Sequence, residues 1–242
     1  VGMWDRRFMQ AEELLAAHER GDCSQETIAQ VFQRQLRQLI SCDTRILALA
    51  EKYLSLSDII YIWKRLIGSG MVGGKSVGML IARAILEKSD PRWAELLEPH
   101  DSFFIGSDIF YSFLIENDCW SIRQNQKDPA TLLDGAEEAR QRILQGNFPN
   151  YIVTRFSDML DYFGQAPIIV RSSSLLEDNF GNSFSGKYES VFCSNQGTKQ
   201  QRLQAFLDAV RTIYASAMSE DALTYRARRG ALEQDEQMAL LI

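Results

Sequence analysis

The sequence predicts an α+β protein with a helical N-terminal portion, and three observations carry that prediction. Apolar residues recur at the 3.6-residue period of amphipathic helices through most of the chain. Short apolar runs interrupt them: Phe103-Phe104-Ile105, Ile168-Ile169-Val170, Tyr188-Glu189-Ser190-Val191-Phe192 and Met238-Ala239-Leu240-Leu241-Ile242. These are strand-length, and three of the four are rich in β-branched or aromatic side chains. Neither an internal repeat nor a low-complexity linker separates the two textures.

Each element follows from its own pattern. Asp22, with Gln25 three positions later, reads as an N-terminal cap, after which Ile28, Val31, Phe32, Leu36, Leu39 and Ile40 share one helix face. Ile46, Leu49, Ala50, Tyr53 and Leu54 continue the helical series, with too few heptads for a coiled-coil interface. The run Ile59–Ile67 fits a helix end as well as a strand. A glycine cluster follows, and then Val77, Leu80, Ile81, Ala84 and Ile85 form another helical face. After Phe103-Phe104-Ile105 comes an aromatic helix over Asp108–Ile115. Asp128-Pro129 has the chemistry of a helix start, with a stop at Gly146. Ile152, Phe156, Met159, Leu160 and Phe163 give one more helix face, closed by Gly164. Ile168-Ile169-Val170 is a buried strand that delivers Arg171 to a polar loop beginning Ser172-Ser173-Ser174, and a long amphipathic helix runs from Thr198 to Ser219.

A chain of 242 residues can bury a sizeable core in one or two domains. Its net charge of −6 and pI near 5.1 argue against a nucleic-acid or anionic-membrane partner, since both need clustered Lys and Arg. Cys23, Cys42, Cys119 and Cys193 are widely spaced and, with only His18 and His100 as partners, offer no metal-ligand spacing. No apolar run approaches the ~20 residues of a membrane span, and the first twenty residues are helical and charged rather than signal-like, so the expected location is cytoplasmic. Starting at Val1 and stopping in an apolar run, the sequence reads as a piece of a longer protein.

Chemistry concentrates in two places. Gly68-Ser69-Gly70-Met71-Val72-Gly73-Gly74-Lys75-Ser76 looks like a phosphate-binding P-loop, but that pattern needs glycine at residue 69, where this chain has Ser69. The register is off by one, and Lys75 is left at the mouth of a helix, either with a function or as an exposed helix-start lysine. Arg171, at the end of a strand and followed by Ser- and Gly-rich sequence, suits a phosphate, because its planar fork is joined by hydroxyl and backbone donors. The alternative is an ion pair of Arg171 with Glu177 or Asp178.

Taken together, the two places resemble a known family. "GGKSVGMLIARAIL" looks like the Gly-Gly-Lys-Gly helix start of the phosphoenolpyruvate synthase and pyruvate phosphate dikinase family. "VRSSSLLEDNFGNSFSGKYESVF" is similar to its Val-Arg-Ser-Ser-Ala…Glu-Asp…Ser-Phe-Ala-Gly-Gln-Tyr-Glu stretch, and "SEDALTYRARRG" with "EQMALLI" resembles the segment that follows. The three lie in order from Gly73 to Ile242. Ser76, Ser174 and Ser185-Gly186-Lys187 depart from the pattern by small or polar replacements that leave the charged donors in place.

The resemblance implies an ATP-grasp-type nucleotide-binding domain over residues 67–242, C-terminally incomplete, preceded by a helical extension over residues 1–66. It implies Lys75 and Arg171 as catalytic cations, and Gly73, Gly74, Lys75, Arg171, Ser172, Gly186 and Ser190 as the ATP-binding set. It further implies cleavage of ATP and transfer of a phosphoryl group, through a histidine on a downstream domain, to pyruvate or a related acceptor. A non-catalytic nucleotide-binding regulatory module is the alternative. The Mg²⁺ ligands of the family fall outside this chain, and His18 and His100 match no phosphohistidine segment. Three expectations follow: Lys75 and Arg171, 96 positions apart, share one cleft; the Phe180–Gly186 loop is mobile without ligand; and this chain alone binds ATP weakly if at all and does not turn it over.

Overall fold

The structure, a computed structural model, describes residues 3–98, 101–177, 184, 186–234 and 236–242. His100, Asp178 and most of the Phe180–Gly186 loop lie outside the described residues, and so does the expectation about that loop.

Four helices come first: α1 (Met3–Glu19), α2 (Gln25–Leu39), α3 (Thr44–Tyr53) and α4 (Leu56–Lys64). The cap of α2 is Ser24, whose side chain accepts the Thr27 N–H, and not Asp22. A residue directly before the helix reaches the third helical N–H, which Asp22, two residues further back, does not. Asp43 caps α3, and Ser55 with Asp58 forms a reciprocal capping box on α4. The ambiguous run before Gly68 is both things expected of it, the end of α4 and then strand β1 (Leu66–Ile67).

Next come α5 (Gly74–Ser89), α6 (Arg92–Leu96), β2 (Phe104–Ile105), α7 (Ser107–Glu116), α8 (Trp120–Asn125), α9 (Ala136–Gln145) and α10 (Asn150–Phe163). Asp128-Pro129 does not open a helix. Asp128 accepts the Ala130 N–H at 2.9 Å and shapes a run of turns, while α9 begins only after Gly135, whose φ of +69° interrupts any earlier helix. The last elements are β3 (Ile168–Ser174), β4 (Ser190–Cys193), α11 (Lys199–Ser216), α12 (Glu220–Arg228) and β5 (Met238–Leu241).

The strands form one sheet in the order β1-β2-β5-β3-β4, parallel between β1 and β2 and antiparallel elsewhere. Successive strand residues point to opposite faces, so β1, β2 and β5 feed two cores. Phe104 and Leu241 join Leu36, Leu39, Leu47, Ile62 and Leu80 on the face covered by α2 to α5. Ile105 and Leu240 join Phe110, Phe113, Phe156, Val210 and Tyr214 on the face covered by α7, α10 and α11. Each such large side chain contributes about 1.5–3 kcal/mol when fully buried.

The polar loop expected after Val170 is instead the second half of β3. Arg171, Ser172, Ser173 and Ser174 pair in register with Leu241, Leu240, Ala239 and Met238. The backbone is satisfied by β5, and the three buried serine hydroxyls each find a hydrogen-bond partner, so nothing forces the chain out of the sheet. No helix among the described residues is long and apolar enough to cross a membrane.

Two tyrosines in the core give the fold an alkaline limit. Burial, with the Asp108 charge added, holds the Tyr214 phenol well above the usual tyrosine range. Burial, then the Glu236 charge, does the same for Tyr188. A phenol with a raised folded pKa stabilises the fold fully below the unfolded value near 10, and that contribution is lost as pH rises beyond it, at about 1.4 kcal/mol per pH unit per tyrosine. In a 295 nm titration, Tyr188 and Tyr214 are expected to ionise only with cooperative unfolding. Ionisation of all eight tyrosines near pH 10 in the folded protein would contradict this.

Candidate functional site

The glycine segment divides into two halves with different neighbours. In the first, the Asp108 carboxylate at the start of α7 accepts the Ser69 N–H at 2.9 Å, the Ser69 hydroxyl at 3.0 Å and the Gly70 N–H at 2.8 Å. Gly68, at φ +100°, turns the chain tightly around that carboxylate. Ser69, the residue that spoils the P-loop register, is thus part of an internal carboxylate cradle.

In the second half the chain turns at Gly73, φ +82°, directly into α5. A Cβ at Gly73 would overlap the Ser173 carbonyl oxygen, and one at Gly74 would overlap the Glu177 carbonyl oxygen. These two glycines therefore let the first turn of α5 lie on the backbone of β3 and of the turn that follows it. Ser173 Oγ locks the contact: it donates to the Val72 carbonyl at 2.9 Å, accepts the Ser76 N–H at 3.1 Å and lies 3.1 Å from Ser76 Oγ.

This docking delivers Lys75. Its Nζ donates to Glu177 Oε1 at 2.8 Å and to Ser172 Oγ at 3.0 Å, while Ser172 Oγ donates to the same Oε1 at 3.0 Å. The other carboxylate oxygen accepts the Ser174 N–H at 2.9 Å. The Glu177 side chain is 2% exposed and that of Lys75 20%. An ammonium has three protons; Lys75 commits two within the described residues and keeps one.

Arg171 does not make the ion pair with Glu177 that its sequence neighbourhood allowed, because Glu177 is turned to Lys75. It is exposed, and its side chain has no hydrogen bond or ion pair among the described residues. Its register partner on β4 is Ser190, also exposed, so their side chains share a face of the sheet. Lys75 contacts Ser172, whereas Arg171, the residue before Ser172 in β3, shares its face with Ser190; consecutive strand residues point to opposite faces, so β3 carries two pairs, Lys75–Ser172 and Arg171–Ser190, on its two sides. Gly73 and Gly74 form the base of Lys75. Gly186, at φ +73° in the exposed turn before β4, touches none of them, and its neighbour Lys187 is engaged with Asp221 at 2.8 Å.

Beneath the site lies a charge cluster that sequence reading did not find. Glu236 Oε2 accepts Arg123 Nη2 at 2.9 Å and Arg226 Nη1 at 3.2 Å, with Glu236 and Arg226 each 1% exposed. Burial pulls the Arg123 guanidinium below the usual arginine range, with Glu236 opposing the shift and Arg226 adding to it. The backbone carbonyl of Glu236 accepts the Ser174 hydroxyl at 2.6 Å, which ties the cluster to the Lys75 assembly. Glu177 was also missed as a site residue: only its nearness to Arg171 in sequence was visible, and its real partner is 102 positions away.

Among the described residues no group of three or more His, Cys, Asp or Glu side chains is arranged to hold a metal ion. Glu177, the carboxylate at Lys75, has both oxygens occupied. The donor set around Lys75 thus does not fit Mg²⁺.

Comparison with curated proteins gives no match. A protein-family model described as "Pyruvate phosphate dikinase, AMP/ATP-binding domain" matches residues 69–242. That span starts at the Asp108 cradle and takes in the α5 docking, β3, β4 and β5, and by this match the chain belongs to the pyruvate phosphate dikinase AMP/ATP-binding domain family.

Proposed function

We propose that Lys75, Arg171, Ser172 and Ser190, with the backbone at Gly73, Gly74 and Gly186, hold the phosphates of ATP. On this reading the chain is the ATP-binding part of a dikinase-type phosphotransferase of the ATP-grasp kind, with residues 1–66 as a helical extension to it. The observation that carries the reading is the placement of the Lys75 ammonium beside Ser172, one residue from an exposed arginine with no partner among the described residues. Arg171 and Lys75 then act as fixed donors toward phosphate oxygens, and such preorganised donors stabilise the charge that moves as a phosphoryl group leaves. The transferred group passes through a histidine outside these residues to pyruvate or a related acceptor, in the cytoplasm, where ATP is supplied. No step is assigned to magnesium through Glu177.

Arg171→Ala tests the reading cleanly, because an exposed side chain without partners among the described residues can be removed at little cost to folding. A charge-assisted hydrogen bond is worth about 1.5–3 kcal/mol, so ATP affinity read by ligand-observed NMR should fall at least tenfold while the unfolding midpoint stays put. Equal ATP binding by the variant, or no saturable binding by the parent, would defeat the proposal.

A further inference from the structure

We infer that Glu177 is a positioning residue for Lys75: it does not compete with a phosphate for the ammonium but holds the ammonium where its third proton meets one. The inference rests on the nucleotide reading above and adds a residue to it.

The geometry decides between holding and competing. Glu177 is almost fully buried and takes three donors, from Lys75, Ser172 and Ser174. Lys75 is the one cation paired with it among the described residues. Pulling Lys75 away would leave a desolvated carboxylate without its counter-charge, a costly state. A phosphate that uses the remaining ammonium proton requires no such break. Ser172 completes the arrangement, since its hydroxyl accepts from Lys75 and donates to Glu177, closing a ring of three side chains that fixes the direction of Nζ. Gly74 fixes the other end, because the Glu177 backbone lies where its Cβ would be. A consequence follows for charge. The Lys75–Glu177 pair is neutral as a unit, so Lys75 supplies direction to the site and Arg171 supplies its net positive charge.

Two readouts test this on the 242-residue chain. The first needs no nucleotide: an ¹H–¹⁵N correlation spectrum of lysine ammonium groups, with Lys75 assigned through Lys75→Arg. A held ammonium exchanges its protons slowly enough to be seen. The Lys75 signal is expected in the parent chain and absent in Glu177→Gln; a signal unchanged in that variant overturns the inference whatever happens with ATP. The second is an ATP titration of Glu177→Gln, Lys75→Met and the double variant. Glu177→Gln should weaken binding about tenfold when Lys75 is present and less than twofold when residue 75 is methionine. Tighter binding by Glu177→Gln would show competition, and equal losses in both backgrounds would show a merely structural role; either result overturns the proposal. Ser172→Ala, which leaves the carboxylate intact, should weaken ATP about threefold and serves if Glu177→Gln does not fold; no weakening by it would count against the ring. If the parent does not bind ATP while the ammonium signal still depends on Glu177, the nucleotide reading fails and the positioning of Lys75 stands.

Discussion

Glu236→Ala is expected to cost about 3–5 kcal/mol of stability, the range measured when one partner of a buried ion pair is removed. Two guanidiniums, Arg123 and Arg226, lean on this single carboxylate oxygen, and the residues involved are 8% exposed or less. Without it both positive charges stay buried and face each other uncompensated. In urea unfolding the midpoint should fall with little change in slope, since the surface exposed on unfolding is nearly the same. Glu236→Gln should lose less, because an amide oxygen can still accept one of the two bonds. Removing all three charges together, as Arg123→Met, Arg226→Met and Glu236→Leu, should recover most of the loss, since a packed apolar replacement avoids the desolvation penalty. A loss below about 1 kcal/mol for Glu236→Ala would show that water or rearrangement relieves the arginines, and the description of the cluster would be wrong.

Gly73→Ala should be comparably severe and should also abolish the proposed ATP-binding arrangement. The added methyl meets two obstacles at once: a backbone at φ +82°, where L side chains are strained, and the Ser173 carbonyl oxygen, which already occupies its place. Neither obstacle can move without withdrawing α5 from β3. That withdrawal breaks the Ser76–Ser173 contacts and carries Lys75 away from Ser172 and Glu177. A loss of about 4 kcal/mol, or failure to fold, is expected. Gly78→Ala is the matched control. It sits inside α5 with open space where its Cβ would go, so alanine should stabilise the protein by about 0.5–1 kcal/mol through helix propensity alone. Thermal melts of the two variants separate packing from propensity within one helix. Similar small effects for both would remove the α5–β3 docking from the account.

Periodicity made the helices legible, and it failed where side-chain chemistry overrides it. The faces of α2, α5 and α10 could be read directly, since burial selects residues at 3.6-residue spacing whatever lies opposite. Ser172-Ser173-Ser174 could not be read as strand, because serine favours turns unless a partner strand and specific acceptors hold it, and those come from β5, Val72 and Glu177. Asp128-Pro129 carried a start signal that Gly135 cancels. In the site, the positions of Lys75 and Arg171 were visible as motifs. The partnership of Lys75 with Glu177 was not, since it depends on two segments 102 positions apart, the start of α5 and the turn after β3, meeting in the fold. The glycines misled in an instructive way: close approach of backbone was the right inference, but what approaches Gly73 and Gly74 is the protein's own β3 and the turn after it.

The strand order β1-β2-β5-β3-β4 puts the strand that is last in sequence in the middle of the sheet. β5 alone joins the β1-β2 pair to the β3-β4 pair, and until it arrives Ser172, Ser173 and Ser174 have no ladder to hold them in extended form. During synthesis, Lys75 therefore leaves the ribosome some 160 residues before the strand that makes its socket, roughly ten to thirty seconds at ordinary elongation rates. Until β5 arrives the Lys75 ammonium, and the Glu177 carboxylate once it has been made, are separate solvated ions, and the half-sheets present open edges of the sort that recruit foreign strands. Closure of the sheet and assembly of the Lys75 socket are one event, so, on the proposed function, a nascent chain held short of Met238 should have no nucleotide-responsive state at all.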